Sequence, residues 1–86
     1  MNVASNRVSS EPTPIIRWEF AREDHHLLCA IRATPSVSSF EVATVPLWDV
    51  NRAAVETFKT ASEALTRHAA IAADLRDAGW MVAAYT

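Results

Sequence analysis

An α+β fold class follows from three observations on this 86-residue sequence. Apolar residues alternate with polar ones through three segments between residues 15 and 45. Beyond Pro46 they recur at spacings of four and three, and short stretches bearing proline, serine or charge separate the segments. Period two marks a half-buried strand and period 3.6 an amphipathic helix. The expected architecture is a three-stranded antiparallel meander packed on one long C-terminal helix, closed by a short terminal strand or docked tail.

Residues 1–13, rich in Ser, Asn and Pro and without a period, read as a tail, leaving 14–86 as a single α+β domain. In the first strand Ile16, Trp18 and Phe20 share one face, with Ile15, Arg17 and Glu19 on the other. Glu23-Asp24-His25 forms a short polar hairpin loop. The second strand, residues 26–33, sets Leu27, Cys29 and Ile31 against Leu28, Ala30 and Arg32. Pro35 and its serines end it, because proline cannot donate to a ladder. The third strand, residues 39–45, sets Phe40 and Val42 against Glu41, Ala43 and Val45.

Ala54, Phe58, Ala61, Leu65, His68, Ala72 and Leu75 then trace one stripe along a helix expected over residues 49–78. Asp49 or Asn51 would cap its start. Gly79, the only glycine, sits where a left-handed residue ends a helix, with Trp80 next to pack back on Leu75. Such a helix would be about 45 Å long, whereas seven-residue strands span only about 23 Å. Either the helix breaks, for which no Gly or Pro between Pro46 and Gly79 supplies the usual cause, or its second half, carrying Leu65, His68, Ala72 and Leu75, overhangs the sheet and meets another chain. The outer sheet face gives a second candidate interface, Ile15, Arg17, Leu28, Ala30, Arg32 and Val45, since it is too apolar for a solvated surface.

Composition narrows the function classes. Half the residues are apolar, but 16 of these 43 are alanine, which adds little buried area, so the core rests on few large side chains. A formal charge of −2 argues against generic nucleic-acid binding. The basic residues are arginine apart from Lys59, a coding bias expected of a GC-rich, bacterial gene. No apolar run is long enough for a membrane helix, the N-terminus has no apolar export segment, and a lone Cys29 suits a reducing compartment, so a cytoplasmic location is expected.

Chemistry-bearing residues are sparse. His25-His26-x-x-Cys29 is the one compact set of metal-ligand types, but alternation turns His26 away from the other two and no second cluster completes a site. A single glycine rules out a glycine-rich phosphate loop, and the carboxylates are not paired for acid–base work. His68 reads either as a packed core residue or as a pH-sensitive contact between helices. Neither a cofactor nor a catalytic residue is expected.

The element order β-β-β-α-β over residues 15–85 resembles that of HicB-type antitoxin domains, which neutralise an RNA-cleaving toxin. That resemblance implies a small regulator that sequesters a protein partner. It carries no residue across, and the glycine-rich turn region of that family is absent here. The expected function is a non-catalytic protein–protein interaction module, a homodimer with a small regulatory or sequestering role. The alternative is a nucleic-acid-binding protein that uses the outer-sheet arginines or the N-terminal tail.

Overall fold

A computed structural model describes residues 13–34 and 38–86; the tail assigned to residues 1–13 lies outside them except for Thr13, and so does most of the break at Pro35. Strands β1 (Thr13–Arg22), β2 (His25–Thr34) and β3 (Ser39–Pro46) form the expected meander. A 3-10 turn (Val50–Arg52) and a fourth strand, β4 (Ala54–Phe58), precede helix α1 (Ala61–Asp77), and β5 (Met81–Tyr85) follows it. The strands make one five-stranded antiparallel sheet in the order β4-β3-β2-β1-β5, so α1 carries the chain from one edge to the other.

The alternation of the sequence is realised strand by strand. Trp18 pairs with Cys29 and Cys29 with Thr44, while Ile31 pairs with Val42, which keeps one apolar face continuous across β1, β2 and β3. Phe20, Cys29, Ile31 and Val42 on that face are the largest fully buried side chains. Glu23 occupies the left-handed region (φ 56°) in a two-residue β1–β2 turn, shorter than the expected loop because His25 already pairs with Arg22.

The expected 49–78 helix is corrected in two respects. Residues 54–58 are extended, because Val55 and Thr57 are β-branched and the segment completes the β3 ladder from Phe40↔Phe58 to Thr44↔Ala54. The helix begins instead after Thr60, whose hydroxyl accepts a hydrogen bond from the Glu63 N–H at 3.1 Å. Thr60-Ala61-Ser62-Glu63 has the Thr-x-x-Glu pattern that starts helices, and neither Asp49 nor Asn51 caps α1. The element order is therefore β-β-β-β-α-β, one strand more than the HicB-like order.

At 17 residues, α1 is about 26 Å long and does not overhang the sheet. Its buried stripe is Ala64, His68 and Ala72, with Ile71 and Leu75 packed beside them on the sheet. Small residues on the helix let it approach β2 and β3 closely, so the bulk of the core comes from the strands. Arg67 Nε donates to Glu56 Oε1 at 2.7 Å, tying the helix to β4.

The C-terminus of α1 closes as the sequence predicts. Gly79 has φ 96°, its N–H donates to the Arg76 carbonyl at 3.0 Å, and the Trp80 N–H donates to Leu75 at 2.9 Å. A Cβ on Gly79 would meet only Arg22 Cδ, at an ordinary 3.6 Å, so conformation rather than space requires glycine. Gly79→Ala should therefore lower unfolding free energy by about 1 kcal/mol, and Thr60→Ala by about 1 kcal/mol through the lost cap, both read from urea midpoints.

Candidate interaction surface

Helix α1 covers one face of the sheet, and no described residue covers the other. Inter-strand register defines this outer face in rows. Arg17 pairs with Ala30, Ala30 with Ala43 and Ala43 with Val55. On one side of that row Glu19 pairs with Leu28 and Leu28 with Val45; on the other, Arg32 pairs with Glu41 and Glu41 with Thr57. At the two edges, Val55 is 51 % exposed and Met81, opposite Ala21, is 72 % exposed.

Ala30 and Ala43 are 5 % and 2 % exposed, although no helix among the described residues lies over their face. Their methyl groups are shorter than the side chains of the rows on either side. The result is a flat centre with an apolar row (Leu28, Val45) on one side and a charged one on the other. Both carboxylates of this face have partners: Arg32 Nη2 lies 3.1 Å from Glu41 Oε1, and His26 Nδ1 lies 2.7 Å from Glu19 Oε2. Exposed pairs of this kind contribute about 0–1 kcal/mol, so they keep the face soluble without stabilising the fold much.

The six outer-face residues read from the sequence fall into two groups. Arg17, Leu28, Ala30, Arg32 and Val45 lie on adjoining rows of the one surface. Ile15 sits in a β1 irregularity between Pro14 and Ile16 and is 49 % exposed, at the margin of the face. Two contributors were missing from that set. Ala43 follows from the same alternation, whereas Val55 enters only because residues 54–58 form a strand.

The second candidate interface does not survive as a surface. Its premise was a helix longer than the sheet, and α1 is not. His68 and Ala72 are buried against the sheet, Leu75 is packed into the same core, and Leu65 alone of the four is exposed. His68 therefore meets a sheet rather than another helix: its ring stands edge-on to Trp18, with centroids 5.2 Å apart.

The histidine and cysteine cluster is likewise separated. His26 pairs with Glu19 on the outer face, His25 lies against Trp48 at 4.8 Å, and Cys29 is fully buried. No group of three or more His, Cys, Asp or Glu among the described residues could hold a metal. Burial raises the Cys29 thiol above its ordinary pKa, with a Thr44 hydrogen bond opposing, so it stays protonated and a poor nucleophile. The Arg22 guanidinium donates to the Ala78 carbonyl at 2.9 Å, at the end of α1. Among the described residues no helix is long and apolar enough to cross a membrane.

Searches against protein families, curated proteins and solved structures found no match to this chain.

Burial lowers the His68 pKa below its ordinary 6.5, opposed by a hydrogen bond with the Cys29 backbone, and Nε2 finds no partner among the described residues. The neutral ring is the one that fits, whereas the unfolded chain protonates it freely. Stability from this site is complete above about pH 6.5 and declines as pH falls towards the lowered folded value, by at most about 1.4 kcal/mol per pH unit. Urea midpoints should drop between pH 7.5 and 5.5, and His68→Leu should flatten that drop.

Proposed function

We propose that this chain is a non-catalytic interaction module that self-associates as a two-fold dimer through the outer face of its sheet. The observation that carries the reading is a centre of small residues, Ala30 and Ala43, over which no described helix lies, with Leu28, Val45 and Val55 beside it. Sheets pack face to face about 10 Å apart with interdigitated side chains, and small central residues leave room for those of a second copy. A face bearing Arg17 and Arg32 together with Glu19 and Glu41 suits a second copy of itself better than a polyanion, because each positive group has a carboxylate nearby on the same surface.

Size sets the strength. Five strands about 4.8 Å apart, from Thr13–Arg22 at the longest to Met81–Tyr85 at the shortest, give roughly 600 Å² of flat projection per partner. Two partners reach about 1,200 Å², at the lower end of specific interfaces, so micromolar dissociation is the expected regime. A regulatory or sequestering role would follow if dimer formation and capture of another protein competed for this face.

Sedimentation equilibrium over a concentration series should show a monomer–dimer equilibrium. Leu28→Arg combined with Val55→Arg should weaken it at least about tenfold while far-UV circular dichroism is retained. A wild-type chain that stays monomeric at high concentration would refute the proposal. A dimer untouched by the double substitution would move the interface elsewhere. Nucleic-acid binding predicts instead a steep salt dependence lost in Arg17→Ala with Arg32→Ala.

A further inference from the structure

At the end of the molecule where α1 terminates, side chains from four segments form one ladder. The Arg22 guanidinium carbon lies 4.9 Å from the centroid of the Trp80 ring. Trp80 and Trp48 are stacked, 14° from parallel with centroids 6.1 Å apart, and His25 meets Trp48 edge to face. Arg22 also donates to the Ala78 carbonyl, which fastens the ladder to the helix end. Trp80 is 8 % exposed, as befits a core residue, whereas Trp48 is 49 % exposed despite its two aromatic partners. An indole held from two sides, with half its surface in water, is a pre-organised contact.

We propose that Trp48 is a docking platform for a cationic side chain, arginine or lysine, presented by a partner polypeptide. Indole is the strongest π-face for a cation, and Arg22 over Trp80 shows the geometry already in use one step down the ladder. No cation among the described residues sits over Trp48. The surrounding charges favour a cation by a small margin: Glu23, Asp24, Asp49 and Asp77 lie on the segments that meet at this end, with the carbonyl pole of α1, against Arg22, Arg52 and Arg76. Leu47 and Val50, both exposed beside Trp48, offer apolar contact for the stem of the incoming side chain. An anionic ligand would meet the same carboxylates as repulsion. This surface is distinct from the outer sheet face, so its occupancy does not depend on dimer formation.

The test uses the whole chain and a short blocked peptide, acetyl-Gly-Arg-Gly-amide, against the same peptide with neutral citrulline in place of arginine. Binding is read from the Trp48 indole N–H in ¹H–¹⁵N correlation spectra, assigned by its absence in Trp48→Leu. The arginine peptide should shift that signal saturably and bind at least about threefold tighter than the citrulline peptide. Trp48→Phe, which keeps a ring in the ladder, should weaken the response as read at the Asp49 amide. Equal responses to the two peptides, no response to either, or shifts centred on the outer face would each overturn the proposal.

Discussion

A single 17-residue helix has to cover one face of a five-stranded sheet, and most features of this molecule answer that mismatch. A helix is about 10 Å across, whereas five strands span roughly 20 Å from edge to edge. Helix α1 lies over β2 and β3 with two alanines, Ala64 and Ala72, and the His68 ring buried against them. Aromatic side chains then fill what the helix leaves open. Trp18 and Tyr85 lie together on β1 and β5, Phe40 and Phe58 pair on β3 and β4, and Trp48 stacks on Trp80 below the helix end.

The same mismatch accounts for the outer face. With one helix and no further element among the described residues, that side of the sheet has no cover. It carries polar pairs, Glu19 with His26 and Arg32 with Glu41, and at its centre two alanines that expose little surface. A thin two-layer domain thus has its core on one side of the sheet, and on the other a face that no described helix covers. The ladder at the helix end has the same origin: Trp80 closes the core there, and Trp48 lies against it without being buried.

How much of this was legible in the residues depends on the range of the interaction. Ile16, Trp18 and Phe20 announce a strand through neighbours two apart, and Gly79-Trp80 announces a helix end through contacts within six residues. The helix start was also legible, in Thr60-x-x-Glu63, but Ala54, Phe58 and Ala61 satisfy a helical spacing as well. Their true state depends on β3, whose open edge takes up Val55 and Thr57. Among the candidate interface residues, Arg17, Leu28, Ala30, Arg32 and Val45 follow from alternation. The placement of Leu65, His68, Ala72 and Leu75 depends on helix length, which alternation does not report.

By itself the sequence determined the three-stranded meander, its inner and outer faces, and the glycine that ends the helix, because each rests on contacts between residues close along the chain. Only the tertiary structure decided that residues 54–58 pair as an edge strand and that β5 crosses to lie beside β1. It also brought Arg22, His25, Trp48 and Trp80 into one ladder. These depend on which open sheet edge a segment meets and on which loops share one end of the molecule. Such choices are made by the packing of distant elements, and no local period records them.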